Sequence, residues 1–235
     1  QLAFAQRGGL PNAMLAIVWF AALVAIPIRI KDRGKRRLAL AALFLIPFVC
    51  RSFIRPSNDR DWVPSCAHTP YAEVSGDSLT IRHFRSFDYG EDGSPISHWS
   101  DRSFDLRNLR GMDVFMTHWA SEWAGHPIFS FDFGPQGHLA FTIEARLEKN
   151  ESYSLLKGLY RQFELTYIPC DESDAVRVRT NFRENEDVHL YRTIATPEKA
   201  RERFLEFIRT TNSLREKRAS TTSSPQTAPL LSVRR

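Results

Sequence analysis

Two apolar runs open the chain. Ala13–Ile28, "AMLAIVWFAALVAIPI", holds 16 uncharged residues, and Leu38–Cys50, "LALAALFLIPFVC", holds 13. Both are apolar all round, without the polar stripe of a helix lying on a soluble core. A spanning helix needs about 17–25 residues. The first run reaches that length with Asn12 and Arg29 at the interfaces. The second reaches it if Arg51 snorkels and the helix runs on to Ile54. The pattern therefore predicts a membrane anchor in residues 1–55, with transmembrane helices over about 12–29 and 38–54. Between the runs Lys31, Arg33, Lys35, Arg36 and Arg37 face only Asp32. By the positive-inside rule this loop is cytoplasmic, and everything after Arg55 is exported.

The periodicity then changes. "PSNDRDWVPSCAHTP" is a proline-rich connector, and "YAEVSGDSLTIRHF" is a hairpin signal, with two β-rich runs around Ser75-Gly76-Asp77-Ser78. "SFDYGEDGSPISHWSDRSFDL" reads as a long loop. "GMDVFMTHWA", "FELTYIPC", "AVRVRTNF" and "DVHLYRTI" read as strands, and "SYSLLKGLYRQF" as a short helix. A longer helix starts at "TPEKARERFLEFIRTTNSL". Thr196 is its N-cap, Pro197 its first residue, and Phe204, Leu205 and Ile208 its apolar face. These elements predict an α+β domain over 56–214, a mostly antiparallel sheet with few helices, preceded by the helical hairpin. Residues 215–235, rich in Ser, Thr, Pro and Arg, read as a disordered or frameshifted tail.

Charge changes the picture once it is divided. The formal net charge is +5. Residues 1–55 hold nine basic residues against one acidic, whereas 56–214 hold 18 against 25. The folded part is thus acidic, which argues against nucleic acid as a partner. Of the three cysteines, Cys50 falls in an apolar run, while Cys66 and Cys170 lie in the exported part, where a disulfide can persist. Two unpaired structural thiols are the favoured reading over a bridge. No Cys/His spacing suggests zinc, and no motif points to a cofactor.

One hairpin carries the candidate chemistry: "SEWAGHPIFSFDFGPQGHLAFTIEAR", Ser121 to Arg146. If Gly134-Pro135-Gln136-Gly137 forms a four-residue loop, Phe133 pairs with His138 and His126 faces Ala145. Alternation then puts Phe129, Phe131 and Phe133 on one face, and His126, Ile128, Ser130 and Asp132 on the other. In this register His138 joins the Phe face, and Glu144 lies on the face opposite His126. Glu144 and Arg146 read as an edge ion pair. Cys170, beside Asp171 and Glu172, reads as a poor nucleophile.

The segments "RPSNDRDW", "PYAEVSGDSLTIRHFRSFDY", "LRGMDVFMTHWASEWAGHPIFSFDFG" and "FTIEARLEKNESYSLLKGLYRQFELTYIPCDESDAVRVRTNFRENEDVHLYR", with the helix ending "TTNSL", resemble the Lnb N-terminal periplasmic domain family over about residues 55–214. The resemblance implies a periplasmic domain anchored in a bacterial inner membrane, with the lipid bilayer and a lipoprotein or other cell-envelope substrate as partners. The family's namesake moves an acyl chain from the glyceryl group of a lipoprotein's N-terminal cysteine to that cysteine's amine. The implied fold is a permuted papain-like (NlpC-like) domain, in which a strand histidine precedes a cysteine nucleophile at a helix start. On this basis "AGHPIFSFDFG" puts His126 in the base position, and Glu144 is the candidate orienting carboxylate. Family members continue past "NSL" into a segment resembling "WYNALTxNCTT", whose cysteine is the nucleophile. Here "REKRASTTSSPQTAPLLSVRR" follows instead, and no cysteine comes after Cys170. The expectation is a chain truncated before its nucleophile, inactive and with a sheet face left uncovered. The rival readings are a non-enzymatic periplasmic binding or scaffold module, and a gene fragment.

Overall fold

The computed structural model describes residues 10–52, 57–119, 121–152 and 163–216. The short helix expected in "SYSLLKGLYRQF" falls almost wholly outside them, as does all but the start of the expected tail. Helix α1 spans Leu10–Arg29 and α2 spans Arg33–Ser52. They pack on each other through Trp19, whose Nε1 donates to the Leu43 carbonyl at 3.3 Å and whose ring meets Phe44 edge-on. Helices therefore form where hydropathy expects them. Among the described residues, however, no helix is long and apolar enough to cross a membrane. In α2, Arg33, Lys35, Arg36 and Arg37 occupy the first turns, which shortens its apolar length. The spanning hairpin is thus not confirmed.

An α+β domain follows. Its strands are β1 Tyr71–Ser75, β2 Ser78–Arg85, β3 Asp88–Tyr89, β4 Pro95–Ile96, β5 Trp99–Asp105, β6 Gly111–Trp119, β7 Ser121–Asp132, β8 His138–Arg146, β9 Glu164–Cys170 and β10 Glu186–Arg192. Two helices join them, α3 Glu172–Ala175 and α4 Pro197–Glu216, with a π-helical turn at Val178–Phe182 between. Eight strands form one sheet in the order β1-β2-β9-β8-β7-β6-β10, with β5 also on β2, while β3 and β4 pair separately. All pairings are antiparallel except a single parallel contact of β2 with β9.

Two expectations fail here. The stretch read as a long loop holds β3, β4 and β5. The stretch read as the strand "AVRVRTNF" is instead the end of α3 and the π-helical turn. Tertiary contacts outweigh its alternating pattern, because Asp174 and Arg179 are both buried and partnered on other elements.

The central strands are covered on both sides. On one, Phe131, Phe133, Leu139, Phe141 and Tyr167 pack against Phe204 and Ile208 of α4. Thr196 caps that helix by accepting from the Lys199 N–H, and Asn212 clamps it to β1 through paired bonds to the Ala72 backbone, both 2.8 Å. On the other side, Ile128, Ala140 and Ile168 pack under Trp62, Cys66 and Ala175. Among the described residues, α4 covers one side of the central strands, and the connector with α3 covers the other. Arg146 fastens that connector. Its guanidinium donates to the carbonyls of Cys66 and Ala67 and to Thr69, and lies over the Trp62 ring.

Candidate active site

The loop joining β7 to β8 decides what faces what. Phe133 leaves extended geometry, and its N–H donates to the Gly137 carbonyl, closing a five-residue loop over 133–137. Gly134 and Gly137 supply the positive φ angles, +56° and +83°, that this loop needs. Asp132 therefore pairs with His138, and Ile128 with Thr142. The four-residue loop expected from sequence is one residue too short, and a slip of one residue moves every partner to the other face. His138 does not join the Phe face but stands exposed near Asp132. His126 does not face Ala145. Continuing the observed register two residues brings Glu144 opposite it, on the same face.

The side chains meet there. His126 Nε2 lies 2.7 Å from Thr142 Oγ1, and Thr142 Oγ1 lies 2.7 Å from Glu144 Oε1. Nε2 is itself 3.5 Å from that carboxylate oxygen. Arg179, reaching in from the π-helical turn, donates to the same Oε1 at 2.9 Å and to the Ala175 carbonyl at 2.8 Å. Across β6, Thr117 stands opposite His126, fully buried and with an unpartnered hydroxyl. Glu144 and Arg146 do not pair with each other, and β8 is an inner strand rather than an edge.

Charge states follow from these contacts. Burial pushes the Glu144 carboxyl up, but His126, Arg179 and the Thr142 hydroxyl outweigh it and hold the group down at about 2. Burial and the cations Arg179 and Arg183 lower the His126 pKa, against the pull of Glu144 and Glu186. An ionised Glu144 can only accept, so Thr142 donates to it. The Thr142 oxygen then accepts from Nε2–H. Neutral His126 is thus the Nε2–H tautomer, with its lone pair on Nδ1, which has no partner among the described residues.

These shifts predict how stability depends on pH. Glu144 is depressed from 4.5 to about 2, so its contribution is complete above pH 4.5 and is lost as pH falls towards 2. His126 is also lowered, so the folded state resists its protonation, and stability falls as pH drops below 6.5. In urea unfolding, the stability gap between wild type and Glu144→Gln should narrow as pH falls below 4.5. A gap that stays constant with pH would remove Glu144 from this role.

The thiols are elsewhere. Cys66 and Cys170 are free and buried, with no bridge between them. Burial raises both pKa values, and at Cys170 the Asp174 charge adds to the rise. Cys170 is therefore a poor nucleophile, as expected, but burial is the main cause. The neighbours blamed in sequence are engaged elsewhere, Asp171 by Arg102 and Glu172 by Ser130. Among the described residues no cluster of His, Cys, Asp and Glu could hold a metal ion. Of the two candidate site residues, the structure brings both together. Sequence reading missed Thr142, which shares its face with Glu144 once the register is right, and Arg179, which was assigned to a strand.

A family model described as the Lnb N-terminal periplasmic domain matches residues 96–220, more than half of the chain and the whole of the β6–β8 site. No curated protein and no solved structure matches the chain.

Proposed function

The chain belongs to the Lnb N-terminal periplasmic domain family, which indicates a periplasmic domain of a membrane protein, and from that premise we propose that its sheet carries a general base for acyl transfer or hydrolysis. The observation that carries this reading is the chain His126–Thr142–Glu144. Thr142 and Glu144 orient the ring and fix its tautomer, and Nδ1 takes the proton from a nucleophile. Neither Cys66 nor Cys170 is that nucleophile, so it must be delivered to the open side of the ring from outside the described residues or by the substrate. A permuted papain-like arrangement and a lipoprotein substrate agree with this chemistry.

The N-terminal helices support an inner-membrane attachment. Met14, Ile17, Val18, Phe20, Val24 and Ile28 on α1, and Leu38, Phe44, Leu45 and Ile46 on α2, stand exposed. Apolar surface on this scale needs a partner, and the basic turn Lys31–Arg37 suits anionic headgroups. The rival reading, a binding or scaffold module, draws on the lack of a thiol beside His126 among the described residues.

The test uses the full chain in membranes with a peptide bearing an N-terminal diacylglyceryl-cysteine. Loss of the free amine at constant mass reports acyl transfer, and loss of one fatty acid reports hydrolysis. His126→Ala is expected to slow either by roughly 10²–10⁴-fold, the usual worth of a general base. Binding without turnover in the wild type would overturn the enzymatic reading and favour the scaffold.

A further inference from the structure

We infer that Arg179 is a positioning residue that keeps His126 neutral by holding the Glu144 charge. This rests on the reading of His126 as base and adds the element that makes it one. A partly exposed carboxylate 3.5 Å from an imidazole nitrogen would ordinarily draw a proton onto the ring and form an ion pair. An imidazolium has no lone pair and cannot act as a base. Here Glu144 Oε1 already accepts from Arg179 and from Thr142. The Arg179 side chain is only 3% exposed and is held from three sides. The Ala175 carbonyl takes one nitrogen, Glu144 takes another, and Glu186 lies 3.9 Å from Nε. The guanidinium thus satisfies Glu144 permanently, and Thr142, a neutral hydroxyl, relays orientation to the ring without transferring a full charge.

The charged groups bearing on His126 come from three sides. Glu144 approaches from β8, Arg179 and Arg183 from the π-helical turn and the residue after it, and Glu186 from β10. Two cations face two anions, so removing one arginine tips the balance towards protonation. The π-helical turn fits this role: such turns are costly and concentrate at functional sites, and this one aims Arg179 inward.

The test is a histidine-resolved NMR titration of the full chain in detergent. In Arg179→Met the His126 pKa is expected to rise by about one unit, a tenfold change in its ionisation constant, while His138 is unmoved. Arg179→Lys, which restores the charge, should return it most of the way. Because a carboxylate that loses its ion-pair partner can destabilise a domain, a second comparison removes both charges. Arg179→Met/Glu144→Gln should show a His126 pKa close to that of Glu144→Gln alone, because no carboxylate charge is left for Arg179 to hold. A rise of about one unit in that comparison, or an unmoved His126 in a folded Arg179→Met protein, would overturn the inference. The base reading fails separately, if the wild-type ring carries its proton on Nδ1 rather than Nε2.

Discussion

Replacing Phe204 by alanine is expected to lower the unfolding free energy of the domain by about 3–5 kcal/mol. Phe204 is fully buried at the centre of the larger core, where α4 meets the sheet. Its ring stands edge-on to Phe131 at 5.1 Å, Phe133 at 5.2 Å and Phe141 at 6.0 Å between centroids. Each such pair is worth about 0.5–1.5 kcal/mol beyond the area it buries. Truncation also leaves a cavity that the sheet cannot close, since β7 and β8 are pinned by hydrogen bonds on both edges. Domain stabilities are about 5–15 kcal/mol in total, so the loss is a large fraction of the whole. Leu205→Ala, one residue along and only partly buried, is expected to cost much less. Urea unfolding at unchanged m-value measures both. A Phe204→Ala loss below about 1 kcal/mol would show that α4 does not hold this face of the sheet.

That helix was largely legible in sequence. Thr196-Pro197 announces its start, and Phe204 and Ile208, four residues apart, declare its buried face, all from neighbours in the chain, while Leu205, read onto that face too, is only partly buried. Strands β6, β7 and β8 were legible for the same reason, since alternation is local. The site was only half legible. His126 and Glu144 were singled out, but their meeting depends on whether Phe133 belongs to the ladder or to the loop, a difference of one residue that inverts the face. Pattern cannot settle it, because Phe133 is apolar in either position. Arg179 was hidden more deeply. "AVRVRTNF" alternates like a strand, and what bends it into a helical turn is the burial of Asp174 and Arg179 against residues far off in sequence.

Arg85→Met is expected to cost a further about 3–5 kcal/mol, and to disturb the site from a distance. Asp174 is fully buried at the end of α3, and its carboxylate accepts from Arg85 Nε at 2.7 Å and Nη2 at 3.1 Å. It also accepts from the Phe87 N–H at 3.1 Å and the Tyr89 hydroxyl at 2.9 Å. Burial and the Asp174 charge raise the Tyr89 pKa, so the phenol remains a donor. Removing the guanidinium strands a carboxylate in the interior, with two neutral donors too weak to replace the lost cation. Arg85→Met/Asp174→Leu removes both charges and should recover part of the loss, though not all, because Phe87 and Tyr89 then lack their acceptor. The effect should reach His126. Asp174 anchors α3, α3 ends at Ala175, and the Ala175 carbonyl holds Arg179 against Glu144. Loosening the anchor lets Arg179 drift, so the His126 pKa should rise in Arg85→Met, in the same direction as on removing Arg179 itself. A variant with lost stability but an unmoved His126 would show that the buried pair and the site are independent. A loss below about 1 kcal/mol would show that the Phe87 and Tyr89 donors suffice to hold Asp174 without the guanidinium.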